Sequence, residues 1–259
     1  MGVINVSPDS FYPESRITST DGAVKRALEF EKLGADIVDI GGESTRPGSE
    51  PLDADDEINR VIPVIEGINK RSGVTISIDT YKPEVAKEAI ACGATMVNDI
   101  SGLSFNNGLE FVVAQSQVHI VLMHIRGKPS DMQSYAVYDD VVREVSNELD
   151  TSIRKALDAG IEKEKIILDP GIGFAKEAHH SITLIKNLPL LKSKGYPILI
   201  GLSRKSFIGA YTGLESEQRL IPTVAANAIS IFLGADIIRV HDVHEAAQTV
   251  KIVNEIKNC

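Results

Sequence analysis

The chain has no tryptophan, and aromatics of any kind make up only 5% of its 259 residues. A core built from rings is thereby excluded, so Ile, Val, Leu and Ala must fill the interior. Cysteine is nearly absent. Cys92 falls in a helical pattern and Cys259 ends the chain, which leaves no disulfide framework and no cysteine metal spacing. That usage fits a reducing cytoplasm. No apolar run approaches the ~20 residues that span a bilayer, and no basic segment leads into an apolar stretch at the N-terminus. A membrane span or secretory leader is therefore not expected. Cations are outnumbered, with 27 Lys and Arg against 36 Asp and Glu for a net charge of -9, which disfavours nucleic acid as a partner. Any anionic ligand must be held by cations gathered locally.

What is abundant is a repeated pair of patterns. Strand-like runs alternate with helical ones: GVINV then 21–34, DIVDI then 53–71, VTISID then 83–92, and TMVND then about 107–117. The second half continues with VHIVLMH then 138–159, KIILD then about 178–187, PILIGL then 204–211 and 217–234, and DIIRV then 242–257. Continuous apolar strands imply burial on both faces, as parallel sheets require, and strict alternation with helices implies right-handed crossovers. Gly34, Gly93, Gly160, Gly195 and Gly234 each follow a helical pattern, where a left-handed residue ends a helix at least cost. Pro83 sits in a first helical turn. The length suits one α/β domain over residues 1–259, and the expectation is a single (β/α)8 TIM barrel of eight strands and eight helices. A doubly wound open sheet is the alternative.

The strand-like runs end in polar groups: Asn5, Gly41-Gly42-Glu43, Asp79, Asn98, His124, Asp169, Ser203-Arg204-Lys205, and Arg239 with His241. A barrel would gather them at one mouth, where barrel enzymes keep their active sites. Asn5 either offers an amide oxygen to a hard cation such as Mg²⁺ or satisfies turn backbone. Asp79 either faces the mouth or caps the following helix. In DIGGESTRPG, Arg46 is available to a carboxylate or pyrophosphate, while Pro47-Gly48 also reads as an ordinary turn. Repetition favours a site, since Asp79, Asn98 and Asp169 at equivalent depths would read the donors and acceptors of a flat heterocycle. Ser203-Arg204-Lys205 at a helix N-terminus and Arg239 with His241, on the closing strands, form a candidate anion pocket, because barrels often bind phosphate after strands 7 and 8. Arg239 lies at a loop mouth, where substitution is expected to spare folding. The other histidines read as surface or packing.

The motifs MGVINVSPDSF, DIGGESTRPG, SIDT, NDISG, LDPGIGF, GLSRKSFIG and RVHDV, in this order from residue 1 to residue 243, resemble the dihydropteroate synthase family of pterin-binding barrels. The resemblance implies condensation of 6-hydroxymethyl-7,8-dihydropterin pyrophosphate with p-aminobenzoate, with Mg²⁺ as cofactor and sulfonamides as competitors. Carried over by motif, Asp79, Asn98, Met123, Asp169 and Lys205 would bind the pterin. Asn5, Arg239 and His241 would hold pyrophosphate, with Asn5 as metal ligand, while Thr45, Arg46, Pro47, Phe174 and Ser203 would surround p-aminobenzoate. The resemblance further suggests a homodimer through C-terminal helices, with AANAISIFLGA as a compatible stretch.

The chain departs from the family pattern after DSF, where Tyr12-Pro13-Glu14-Ser15 replaces a Ser-Asp-Gly-Gly type segment and Pro13 should stiffen the first loop. Ala175 and Ser181 stand where Gly and Asn are common. The family usually has a short segment ahead of strand 1 that covers the barrel floor. Here either that piece is missing or neighbouring side chains close that end. Two other functions remain open, a methyltetrahydrofolate-dependent methyl transfer to a corrinoid protein and a non-catalytic pterin-binding paralogue.

Overall fold

Strands of three to five residues, nearly all buried, alternate with helices that turn one apolar face inward. In the computed structural model, which describes residues 1–6, 19–44, 49 and 51–259, the first half runs β1 (Gly2–Asn5), α1 (Thr20–Lys32), β2 (Ile37–Gly41), α2 (Ala54–Asn69), β3 (Thr75–Asp79), α3 (Pro83–Ala91), β4 (Met96–Asp99) and α4 (Leu109–Ser116). The second half runs β5 (His119–Met123), α5 (Val141–Asp158), β6 (Ile166–Asp169), α6 (Ala178–Lys186), α7 (Leu188–Lys192), β7 (Leu199–Gly201), α8 (Ser206–Thr212), α9 (Leu220–Phe232), β8 (Ile237–Arg239) and α10 (Val243–Asn258).

All strands are parallel. β1 to β6 pair in sequence order, as do β7 and β8. Two parallel bridges, Leu168 with Ile198 and Gly2 with Val240, join these sheets at both seams. At the second seam Val3 N donates to Val240 O and Val240 N to Met1 O, each at 3.0 Å. The sheet is therefore a closed barrel, as expected, and the open-sheet alternative is set aside.

The eight strands agree with expectation, but the described residues hold ten α-helices instead of eight. The segment read as one helix to residue 187 is followed by a separate α7, which begins with Pro189 in its first turn. A proline has no N–H to continue α6 but suits a new helix start. The connection from β7 to β8 divides into α8 and α9, as its two segments implied. Gly34, Gly93, Gly160, Gly195 and Gly234 all take positive φ, between +80° and +119°.

Outward strand residues such as Ile40, Ile78, Ile120 and Leu168 pack against Val24, Val61, Val64 and Leu149 of the helices. Burying each such side chain contributes about 1.5–3 kcal/mol. The lower barrel interior is a separate apolar cluster of Met96, Val121, Ile167 and Leu199, with Met1, Ile37 and Ile237 packed against it. This plug keeps water out of the barrel below the polar rim. Among the described residues, no helix is long and apolar enough to cross a membrane. Thr45, Arg46, Pro47 and the Tyr12-Pro13-Glu14-Ser15 stretch lie outside the described residues.

Gly171, just past β6, has φ +67°, and a Cβ there would lie 1.9 Å from the His124 carbonyl oxygen. Gly173 has φ +83°, but its Cβ would meet only the Lys205 side chain at 3.4 Å. Gly171→Ala should therefore cost about 3 kcal/mol or more, and Gly173→Ala about 1 kcal/mol, in urea unfolding. Equal costs would contradict the close approach at Gly171.

Candidate active site at the barrel mouth

Because every strand points the same way, the last inward residue of each comes to one rim. The register makes this explicit: Asn5 lies opposite Gly41, Gly41 opposite Asp79, and Asp79 opposite Asn98. Across the barrel Met123 lies opposite Asp169, and Gly201 opposite Arg239. Residues between 5 and 239 in the chain thus share one mouth. Asp79 is no helix cap, since α3 starts after Lys82.

The centre of the mouth is an ion cluster. Arg239 Nε donates to Asp39 Oδ2 and Arg239 Nη2 to Asp79 Oδ2, both at 2.6 Å. Asn98 Nδ2 donates to the same Asp39 oxygen at 3.0 Å. Burial raises the Asp79 pKa, and Arg239 only partly opposes it. Burial alone would lower the Arg239 pKa, but the Asp39 and Asp79 carboxylates raise it. Two carboxylates share one guanidinium, which leaves the mouth rich in acceptors for a ring that presents N–H groups. From sequence, the carboxylates and the cations fell into two groups; here Arg239 is interlocked with Asp79. Nor is Arg239 a dispensable mouth residue, because its removal leaves two buried carboxylates unopposed.

Asp39 was missed. It is the polar residue inside strand DIVDI and is 0% exposed. A carboxylate within an apolar barrel strand is costly unless paired, and that was the available signal.

Asp169 is buried, and its Oδ1 accepts from Gly171 N at 2.7 Å. Burial raises its pKa, against the pull of Lys205. Lys205 begins α8, and its Nζ donates to Ile172 O and lies 4.8 Å from the centre of the Phe174 ring. Burial brings the Lys205 pKa down to about 8. His241 Nδ1 lies 3.1 Å from Ser203 Oγ. Burial, followed by the nearby Arg239 charge, brings the His241 pKa down to about 4.

Three members of the sequence ring have structural partners. Arg204, placed in the candidate anion pocket, is buried with φ +56°. Its guanidinium makes two 2.9 Å bonds to Asp242 and reaches Ser216 O and Glu217 O. It fastens the β7 loop to the start of α10. Glu43 binds Lys82 Nζ, Tyr81 Oη and Leu52 N, which anchors the stem of the loop after β2. His124, expected to be a packing residue, is buried and hydrogen-bonded to Glu148 and Lys176. Lys176 is 4% exposed and carried no sequence signal beyond its place after LDPGIGF. Among the described residues, no group of three or more His, Cys, Asp or Glu side chains could hold a metal ion.

A family model described as pterin binding enzyme matches residues 1–241. The dihydropteroate synthase of Synechocystis is 44% identical over 99% of this chain and 89% of its own length. That of Bacillus subtilis is 43% identical over 100% of this chain and 88% of its own. Among solved structures, a sulfonamide complex of Yersinia pestis dihydropteroate synthase matches with a TM-score of 0.95 at 38% identity, over 99% of this chain and 93% of that one. Xanthomonas albilineans dihydropteroate synthase with 4-aminobenzoic acid gives 0.92 at 41% identity, over 100% and 92%.

His241 predicts an acid response. Its folded value of about 4 lies below the ordinary 6.5, so as pH falls the unfolded chain takes up the proton first. Its contribution is present above 6.5 and lost progressively towards 4, by up to about 3 kcal/mol. The stability difference between pH 7 and pH 4.5 should therefore shrink in His241→Asn, as measured by urea unfolding. An unchanged difference would show that the imidazole is not held neutral.

Proposed function

The chain belongs to the pterin-binding enzymes, among the dihydropteroate synthases, and from that premise we propose how its barrel mouth divides the work. The reaction is a transfer in folate synthesis: 6-hydroxymethyl-7,8-dihydropterin pyrophosphate and p-aminobenzoate give dihydropteroate and pyrophosphate. The observation that carries the assignment of residues is the shared rim, with Asn98 and Asp169 buried and Asp79 paired with Arg239.

Asp79 and Asp169 accept N–H groups from the aminopyrimidine edge, as their depth in a water-poor rim suits. Asn98, with its amide nitrogen committed to Asp39, turns its oxygen to the ring. Lys205 donates to the ring, and Met123 packs on its face. Arg239 and His241 face the departing pyrophosphate. Burial holds His241 neutral, and phosphate charge beside it would favour its protonation. Phe174 and Ser203, with Thr45, Arg46 and Pro47, border the aromatic amine.

Among the described residues of this mouth there is no nucleophilic triad or reactive cysteine, and the proposed bond breaking depends on charge stabilisation in an SN1-like step. Arg239 and His241 stabilise charge growing on pyrophosphate, while Asp79 and Asp169 favour the cationic methylene left behind. The aniline attacks as the neutral amine, so no strong base is required. Water must be kept away from that cation.

Magnesium fits as a companion to the substrate. Mg²⁺ keeps several waters and shares phosphate oxygens, so it needs few protein ligands. Asn5, in one register row with Asp79, is the residue that would hold it. When bound, the ion would draw charge off the pyrophosphate. Methyl transfer to a corrinoid protein and a non-catalytic role are not favoured, since relatives 43–44% identical over nearly the whole chain are synthases.

The proposed assembly is a cytoplasmic homodimer. Ile221, Ile229 and Phe232 of α9 and Ile252 and Ile256 of α10 are all more than half exposed. These two helices pack together, and exposed apolar side chains on such a pair fit a second copy of the chain.

Two tests follow. With Mg²⁺ and both substrates, the wild-type protein should form dihydropteroate, with competition by a sulfonamide. Asp169→Asn should lower kcat/KM by about 100-fold or more while leaving inorganic pyrophosphate binding largely intact. Product formation at an unchanged rate in that variant would reject the ring assignment. For the assembly, Phe232→Asp should halve the mass seen by sedimentation equilibrium, and a monomeric wild type would reject the dimer.

A further inference from the structure

The loop after β6 is held in an unusual way. Four successive carbonyls are each gripped by a side chain: Ile172 O by Lys205 Nζ, Gly173 O by Gln133 Nε2 at 3.3 Å, Phe174 O by Lys176 Nζ at 2.9 Å, and Ala175 O by Tyr138 Oη at 3.0 Å. The backbone between them alternates into the left-handed region, with φ +67° at Gly171, +83° at Gly173 and +48° at Ala175. Ala175 has a Cβ and resists that conformation. Such a backbone persists only where its surroundings over-determine it. The grips supply that restraint.

Lys176 is the hub. Its Nζ contacts three acceptors, Phe174 O, His124 Nδ1 at 2.9 Å and His124 O at 3.4 Å. Behind it, His124 Nε2 meets Glu148 Oε2 at 2.9 Å. Arg126 then ties Glu148 to Glu144, Nη2 reaching Glu144 at 2.7 Å, and its guanidinium covers the Tyr138 ring at 4.0 Å. Lys176 is thus fixed from α5, through the loop after β5. The order of charges is consistent: His124, whose pKa burial lowers to about 4, accepts at Nδ1 and donates at Nε2.

This chain of contacts ends on the residue that bears the Phe174 ring, beside Lys205. We infer that Lys176, supported by Tyr138 and Gln133, is a positioning residue for the aromatic-amine subsite: by holding the Phe174 carbonyl it sets where the ring stands relative to Lys205. It acts through Phe174, and the inference rests on the proposed place of p-aminobenzoate beside that ring. A methionine of similar length would fill the same space without directing three hydrogen bonds, so the ammonium's contribution is geometric.

Lys176→Met and Tyr138→Phe separate this role from plain stability. Steady-state kinetics should show KM for p-aminobenzoate raised about tenfold in Lys176→Met and about threefold in Tyr138→Phe, with KM for the pterin pyrophosphate within about twofold. Hydrogen exchange should quicken in peptides covering residues 170–177. A purely architectural role would lower melting temperature and active fraction but leave both KM values unchanged, and that outcome overturns the inference, as does a parallel rise in both. Should Lys176→Met fail to fold, Tyr138→Phe, which loses one hydroxyl, decides. Failure of the wild-type protein to use p-aminobenzoate would instead overturn the substrate assignment. The exchange experiment then still judges the grip, and unaltered exchange in both variants would refute it.

Discussion

One guanidinium between two carboxylates governs the barrel mouth. Arg239, bonded to Asp39 and Asp79, lets three charges lie above an apolar plug of Met96, Val121, Ile167 and Leu199. Each charge alone would be costly there, and the pairing offsets much of that cost. The offset is incomplete: burial raises the Asp79 pKa, the Asp39 charge adds to that, and Arg239 only partly opposes it. A ring that brings N–H donors and develops positive charge complements this excess of acceptors. The same imbalance that costs the fold stability therefore suits the proposed transition state.

Around this cluster the rim is built by two different devices. The strand ends are placed by the hydrogen-bonded ladder, which leaves little freedom in Asn5, Asp79 and Asn98. The loop after β6 has no ladder. Its backbone is held instead by side chains from neighbouring loops, with Lys176 in the middle. Arg204 does the same for the loop after β7 by binding Asp242 and two carbonyls. Positively charged residues near the proposed anion-binding mouth can thus be scaffolding, and their hydrogen-bond partners tell the two roles apart.

Much of the candidate site was legible along the chain. A polar residue ending an apolar run is recognisable by position alone, so Asp79, Asn98, Asp169, Lys205, Arg239 and His241 could be named, and all come to the same mouth. Asp39 escaped because it stands inside a strand, where only inward or outward facing gives it meaning. Arg204 was misassigned because its neighbours in sequence face the mouth while its own side chain turns to a residue 38 positions away. His124 and Lys176 looked bland for a similar reason, since their partnership spans two loops and a helix.

The alternation of buried strands and helices determined a parallel α/β sheet, because that order of patterns leaves each strand both faces to cover and one direction to run; closure into a barrel was decided at the seams. It also determined which residues end the strands, and so the inventory of groups available at the mouth. Tertiary structure alone decided which charges neutralise one another, where α6 gives way to α7, and which cations are scaffolding. Those outcomes depend on distances between residues remote in sequence, and electrostatic energy in a dry interior changes steeply over a few ångströms.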